Sequence, residues 1–140
     1  ILGNMYAESQ FSPFISQEDD EDLYQPEYIK RNIDSIESDR IGWGLIQWTH
    51  WSRKRALYDY AVSKGDVSYF GDMDTQLEYL VYELKDGMCK KQFSEFIEIQ
   101  DVDQATIYFR ENIEVAEENH DDTRKIAAEN ILENILEGER

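Results

Sequence analysis

Apolar positions recur at helical spacing along most of this chain. In DTQLEYLVYELKDG, Leu77, Leu80, Val81 and Leu84 stand three or four residues apart, which is the stripe a helix buries along one face. Asp74 stands where a cap is needed and Gly87 follows the last periodic residue, so the pattern predicts its own ends. SRKRALYDYAVSKG reads the same way, with Leu57, Tyr60 and Ala61 on one face, Ser52 as cap and Gly65 as stop. PEYIKRNIDSIES carries Ile29, Ile33 and Ile36 behind Pro26, a residue suited to a first helical turn. Shorter helices are expected around QFSEFIEI and DQATIYFRENIEVA. DTRKIAAENILENILEG is expected to bury Ile126, Ala127, Ile131 and Ile135.

The interruptions matter as much as the helices. The stretch up to Ser9 reads as the end of a helix stopped by FSP, because Pro13 disfavours a helical residue before it. QEDDEDLYQPEY is a polar connector. IGWGLIQWTHW breaks the helical rhythm, since two Gly and three Trp in so short a run suit a short strand or an irregular turn. No internal repeat is present. The pattern predicts a mainly α single domain over 1–140 with one irregular or β segment at its Gly/Trp-rich centre.

Composition agrees and narrows the partners. A chain of 140 residues with 41% hydrophobic and 13% aromatic residues is long enough to bury a core and too short for two comfortable ones. The 31 acidic against 14 basic residues give a formal charge of -17, which repels phosphate backbones and anionic lipid surfaces. Nucleic-acid and membrane partners are therefore not expected, and an acidic mimic of nucleic acid stays as a minor alternative. The single Cys89 excludes an internal disulfide. No apolar run approaches the roughly 20 residues of a membrane span, and the first residues lack the basic then apolar pattern of a signal peptide. The chain starts inside an apparent helix without a Met or a cap, so it is expected to be a piece of a longer protein whose other domains are partners.

Two places could carry chemistry. Glu8, near Met5, Tyr6 and Phe11, has the apolar company that can keep a carboxylic acid protonated near neutral pH. A lone Glu near a helix end is nevertheless usually a solvated residue. In GWGLIQW, Gly42 and Gly44 would let the backbone approach a ligand, and Gln47 can both donate and accept hydrogen bonds. Trp43, Trp48 and Trp51 could offer faces to sugar rings, although the interior is the commoner home of any one Trp.

GNMYAESQFSP, GWGLIQWTHWSRKRALYDYA and DMDTQLEYLVYEL, in that order over about the first 85 residues, resemble the phage tail lysozyme family, lysozyme-like domains of tail-associated and cell-wall lytic proteins. The resemblance implies a lysozyme-like fold and a general-acid role for Glu8. GLIQWT is similar to the family's Gly-Leu-x-Gln-Trp-Thr element, which places Gln47 in the cleft beside the acid, with Trp43, Gly44 and Trp48 binding substrate or backing it. The implied substrate is the glycan strand of peptidoglycan, cut at the β-1,4 bond between N-acetylmuramic acid and N-acetylglucosamine. The implied setting is a virion tail or the extracellular cell wall of a bacterium. No cofactor and no metal are called for, because sugar protonation and distortion are within reach of protein groups alone.

The last third departs from the family's pattern. FRENIEVA keeps Phe109 and Glu114 but has Ile113 where the family tends to have Tyr and Ala116 where it tends to have Pro, while Arg124 and Ala127 or Ala128 fit its final helix. An Ile cannot position a sugar through a hydroxyl, so a wall-binding or tail-structural module without turnover is the alternative from another class. Asp34, Asp39 and Glu114 are candidates for a second carboxylate, as base or nucleophile. Without one, the single-acid route of a lytic transglycosylase remains, in which the muramic acid's own 6-hydroxyl closes an anhydro ring. Arg53, Lys54 and Arg55 are expected to grip stem-peptide carboxylates. EDDED lacks the Gly and ligand spacing of a calcium loop, and His50, His120 and Cys89 lack the spacing of a zinc site.

Overall fold

A computed structural model of the chain describes residues 1–13, 26–38, 40–116 and 120–138. Seven α-helices lie among them: α1 (Leu2–Ser9), α2 (Pro26–Ser38), α3 (Trp51–Lys64), α4 (Met73–Lys85), α5 (Lys90–Phe96), α6 (Val102–Phe109) and α7 (Asp121–Gly138). A 3-10 turn covers Val67–Gly71, and a single π turn, Arg110–Glu114, continues α6. The mainly α expectation holds. The extended pairing among the described residues is one antiparallel bridge between Trp43 and Trp48 in the Gly/Trp-rich segment. None of the described helices is long and apolar enough to cross a membrane.

The chain packs as two compact units, one formed by Phe11–Tyr82 and the other by Ile1–Gln10 with Glu83–Arg140. In the Phe11–Tyr82 unit, Leu57 and Ala61 of α3 are fully buried, as their spacing predicts, and Trp48, Leu45 and Ile46 of the central turn are buried as well. In the other unit α1 lies against α7. Their backbones meet because Gly3 has no side chain: a Cβ there would stand 2.6 Å from both the Ala128 Cβ and the Arg124 carbonyl oxygen. The Asn4 Nδ2 donates to the Thr106 carbonyl at 3.0 Å and ties α1 to α6 as well.

Helix positions follow the sequence more closely than helix faces do. In α4, Leu77 and Val81 are exposed, and the buried face is Thr75, Gln76, Tyr79, Leu80, Glu83 and Leu84. The helix is rolled so that Tyr79 meets Trp48, ring centroids 5.7 Å apart, and Gln76 finds buried hydrogen-bond partners. In α7, Ala127 is buried but Ile126 and Ile135 are exposed, and the largest buried side chain is Arg124. Caps move by a residue or two. α3 is capped by His50, whose Nδ1 accepts the Ser52 N–H at 3.3 Å, and the Asp72 carboxylate accepts the Thr75 N–H at 2.8 Å at the start of α4. Ser52 and Asp74 were the expected caps. In α2, Ile29 is buried and Ile33 is half-buried, and the side chain of Ile36 lies outside the described residues.

Candidate active site

Glu8 stands in the last turn of α1. That turn is closed locally by the Ser9 hydroxyl donating to the Met5 carbonyl at 2.9 Å, and by Gln10 in a left-handed conformation. Of the apolar company expected around Glu8, Met5 is buried, whereas Tyr6 and Phe11 are exposed. The partner that fixes Glu8 is Arg124, in the first turn of α7, whose Nη2 hydrogen-bonds the Glu8 Oε1. The other arm of the guanidinium, Nη1, donates to the Glu114 Oε2 at 2.7 Å. One arginine thus holds two carboxylates. The Glu8 side chain keeps 16% of its surface in solvent and that of Arg124 keeps 1%.

Glu114 reaches this position through the π turn. The Val115 N–H donates to the Arg110 carbonyl at 2.8 Å, and Val115 itself takes a left-handed conformation with φ 58°. A β-branched residue in that region is strained, and the turn holds it there with Ile113 and Glu114 both facing inward. The Arg110 Nε donates to Asp121 at 2.6 Å, which pins the turn to the start of α7. Burial pushes the Glu114 carboxyl up to about 8; the Arg124 charge opposes that shift and the negative charge of Glu8 adds to it. Five buried polar atoms of this unit lack a hydrogen-bond partner among the described residues: the Glu114 Oε1, the Arg124 Nε, the Asn4 Oδ1, the Gln92 Oε1 and the Asp103 Oδ1.

The Phe11–Tyr82 unit holds the remaining candidates. Trp43 and Trp48 exchange both backbone hydrogen bonds, at 3.2 and 2.9 Å, and so close the turn Gly44–Gln47. Both Trp side chains are buried, Trp43 edge-on to Phe70 at 6.0 Å. They back the turn from inside, while Trp51 is 55% exposed. Gln47 is half-buried, sits at φ 51° and donates its Nε2 to the Gly44 carbonyl at 2.9 Å. The open space expected at Gly42 and Gly44 is filled from within the unit. A Cβ on Gly42 would stand 2.7 Å from the Gln47 Oε1, and one on Gly44, at φ +71°, 2.4 Å from the Gln76 Oε1.

The other charged candidates separate clearly. Asp34 is a surface carboxylate, 96% exposed and 3.9 Å from Arg55. Asp39 lies outside the described residues, as does the EDDED segment. The expected cationic grip is corrected for two of its three members: Arg53 and Lys54 are buried, and the Lys54 Nζ donates to the Ile41 carbonyl at 3.1 Å. Arg55 pairs with Asp59 at 3.2 Å, one helical turn ahead. Lys54 holds α3 to the segment before it, because its long stem can be buried while the cation meets an acceptor. Cys89 is buried and free of any disulfide. No group of His, Cys, Asp or Glu among the described residues is arranged to hold a metal ion.

Sequence reasoning missed the two organising residues. Gln76 accepts the Leu45 N–H at 2.9 Å and donates to the carbonyls of Phe70 and Pro13, each at 2.8 Å. Its signal was a polar residue three and four positions before the buried Tyr79 and Leu80. Arg124 had been placed only as a fit to a final-helix pattern, and its signal was a cation three residues before Ala127 on the apolar face.

The family model described as phage tail lysozyme matches residues 1–135. No curated protein and no solved structure matches the chain.

Proposed function

This chain belongs to the phage tail lysozyme family, lysozyme-like domains that act on the bacterial cell wall, and from that premise we propose that it cleaves peptidoglycan glycan strands with Glu8 as the general acid. The bond is the β-1,4 link between N-acetylmuramic acid and N-acetylglucosamine. Glu8 carries the reading: it occupies the Glu of the GNMYAES motif, is fixed by Arg124 and keeps part of its surface open to solvent. As an acid it gives its proton to the glycosidic oxygen as the C1–O bond breaks, and charge develops on the ring as an oxocarbenium ion. Gln47, on its own unit, contributes hydrogen bonds to the sugar, and Trp43 and Trp48 support the Gly44–Gln47 turn that carries it.

Two fates of the cation distinguish the products. Attack by water, deprotonated by a second carboxylate, leaves a reducing muramic end. Attack by the muramic 6-hydroxyl closes an anhydro ring, and that proton returns to Glu8. The second route is the alternative reading, and what supports it is that Glu114 is buried behind Arg124 and Asp34 is a surface carboxylate beside Arg55. The parent protein's setting is a phage tail or the outside of a bacterial wall.

The test is digestion of purified peptidoglycan by the wild type and by Glu8→Gln, with the released muropeptides weighed by mass spectrometry. Reducing-end products from the wild type alone support the muramidase. Anhydro products, lighter by one water, support the transglycosylase. If both proteins bind walls and neither releases fragments, the domain is a wall-binding module and the catalytic reading fails.

A further inference from the structure

A general acid must hold a proton, yet Glu8 shares an ion pair with a buried cation. The resolution lies on the far side of that cation. Arg124 presents Nη2 to Glu8 on α1 and Nη1 to Glu114 at the end of the π turn, and both Arg124 and Glu114 side chains are 1% exposed. Water cannot screen charges at such depth, so the state of one carboxylate is felt at the other through the shared guanidinium.

We propose that Glu114 is a positioning residue that, acting through Arg124, sets whether Glu8 holds its proton. The inference rests on the reading of Glu8 as the acid. With Glu114 neutral, the guanidinium of Arg124 is left to Glu8. With Glu114 ionised, the same guanidinium is shared between two carboxylates and a second anion stands near Glu8. Two carboxylates and one guanidinium at zero net charge hold one proton between them.

Two further observations support a working triad over a static anchor. The Glu114 Oε1 and the Arg124 Nε are buried without partners among the described residues, so the cluster is not the fully satisfied network that a purely structural role favours. Burial also brings Glu114 up to about 8, within reach of the conditions under which an enzyme works. The charged groups facing Glu114 are Arg124 from α7, Glu8 from α1 and the α-amino group of Ile1 before α1. Arg110, on the same turn, is occupied by Asp121 and Glu111.

The coupling is read by carboxyl-carbon NMR titration of Glu114 in the whole domain. Glu8→Gln removes a neighbouring anion and is expected to move the Glu114 midpoint down. Arg124→Gln removes the cation and is expected to move it up. Thermodynamic reciprocity then requires Glu114 to act on Glu8 to the same degree. A Glu114 midpoint that stays in place in Glu8→Gln overturns the proposal whether or not the domain turns over. In rate profiles, the ratio of Glu114→Gln to wild-type activity is expected to fall by roughly tenfold as pH rises through about 8, where the wild type gains an anion and Gln cannot. Below that pH, Glu114→Gln should retain more activity than Glu114→Leu, because only the amide can still accept from Arg124. Superimposable profiles for Glu114→Gln and wild type overturn the proposal. A wild type without turnover defeats the acid reading and leaves the coupling to be decided by the titration.

Discussion

Gln76 holds Leu45 in place: its Oε1 accepts the Leu45 N–H at 2.9 Å, directly behind the left-handed Gly44. The amide has no spare capacity on its donor side, since both hydrogens go to main-chain carbonyls. The Gly44–Gln47 turn therefore takes its shape from a residue of α4 that never meets solvent.

Gln76→Leu is expected to destabilise the Phe11–Tyr82 unit. It would remove the acceptor of the Leu45 N–H and the donor to the Phe70 and Pro13 carbonyls, at about 1–3 kcal/mol for a buried group left orphaned. Urea denaturation should show a lower midpoint with an unchanged slope. Unchanged stability would mean that the turn holds itself.

The three Trp residues separate by burial, and substitution should separate them by effect. Trp48 is fully buried against Tyr79, so Trp48→Ala should cost about 3–5 kcal/mol. Trp51 is exposed, so Trp51→Ala should change stability by less than about 0.5 kcal/mol. If Trp51 meets sugars, its loss should weaken sedimentation with purified walls by about three- to tenfold. Equal wall binding by Trp51→Ala and wild type would remove it from the binding surface.

Helix spans were legible because caps, glycines and periodic apolar residues act locally. Faces were less so, because they depend on what the interior must satisfy. The Leu77 and Val81 stripe looked like the buried side of α4, but the core needed the Gln76 amide and the Tyr79 ring, and the helix rolled toward them. Arg124 was hidden for a related reason. A cation in the first turn of a helix opposes the helix dipole and reads as a surface residue, until two carboxylates from distant segments converge on it. Glu8 could be singled out from its motif, whereas Glu114, the second carboxylate on Arg124, depended on a π turn at Arg110–Glu114 that no periodicity announces.

Gly3→Ala tests the seat of Glu8. On an open helix this change would help by roughly 0.5–1 kcal/mol. Here the new Cβ would stand 2.6 Å from the Arg124 carbonyl, which is backbone and cannot yield, so α1 must move off α7. Overpacking of this kind costs typically about 1–3 kcal/mol, and the cost should win. Because Glu8 rides on α1 and Arg124 on α7, wall digestion should fall with stability. A stabilised, fully active Gly3→Ala would show that the close approach is not required.

The buried Glu114 predicts how stability responds to pH. The carboxyl titrates near its ordinary 4.5 in the unfolded chain and near about 8 in the folded one. Between these values the folded protein keeps a proton that the unfolded chain releases, so raising the pH draws the equilibrium toward unfolding. The contribution of this group is complete below about 4.5, declines through the window and is lost above about 8, and it amounts to a few kcal/mol as an order of magnitude. Asp66 and Asp72, held low by hydrogen bonds from Ser68 and Thr75, act in the opposite sense, and their window lies below the ordinary carboxylate range. They leave the neutral to alkaline range to Glu114 and to the α-amino group of Ile1, which burial holds below its ordinary 8.0 and which acts in the opposite sense, so the part due to Glu114 is the difference between wild type and Glu114→Gln. Melting temperatures measured from about pH 5 to about pH 9 should fall for the wild type and stay flatter for Glu114→Gln, which has no proton to lose. The variant should become the more stable of the two at the alkaline end. Parallel curves would mean that Glu114 is already ionised in the folded protein, with Arg124 as its settled counter-charge.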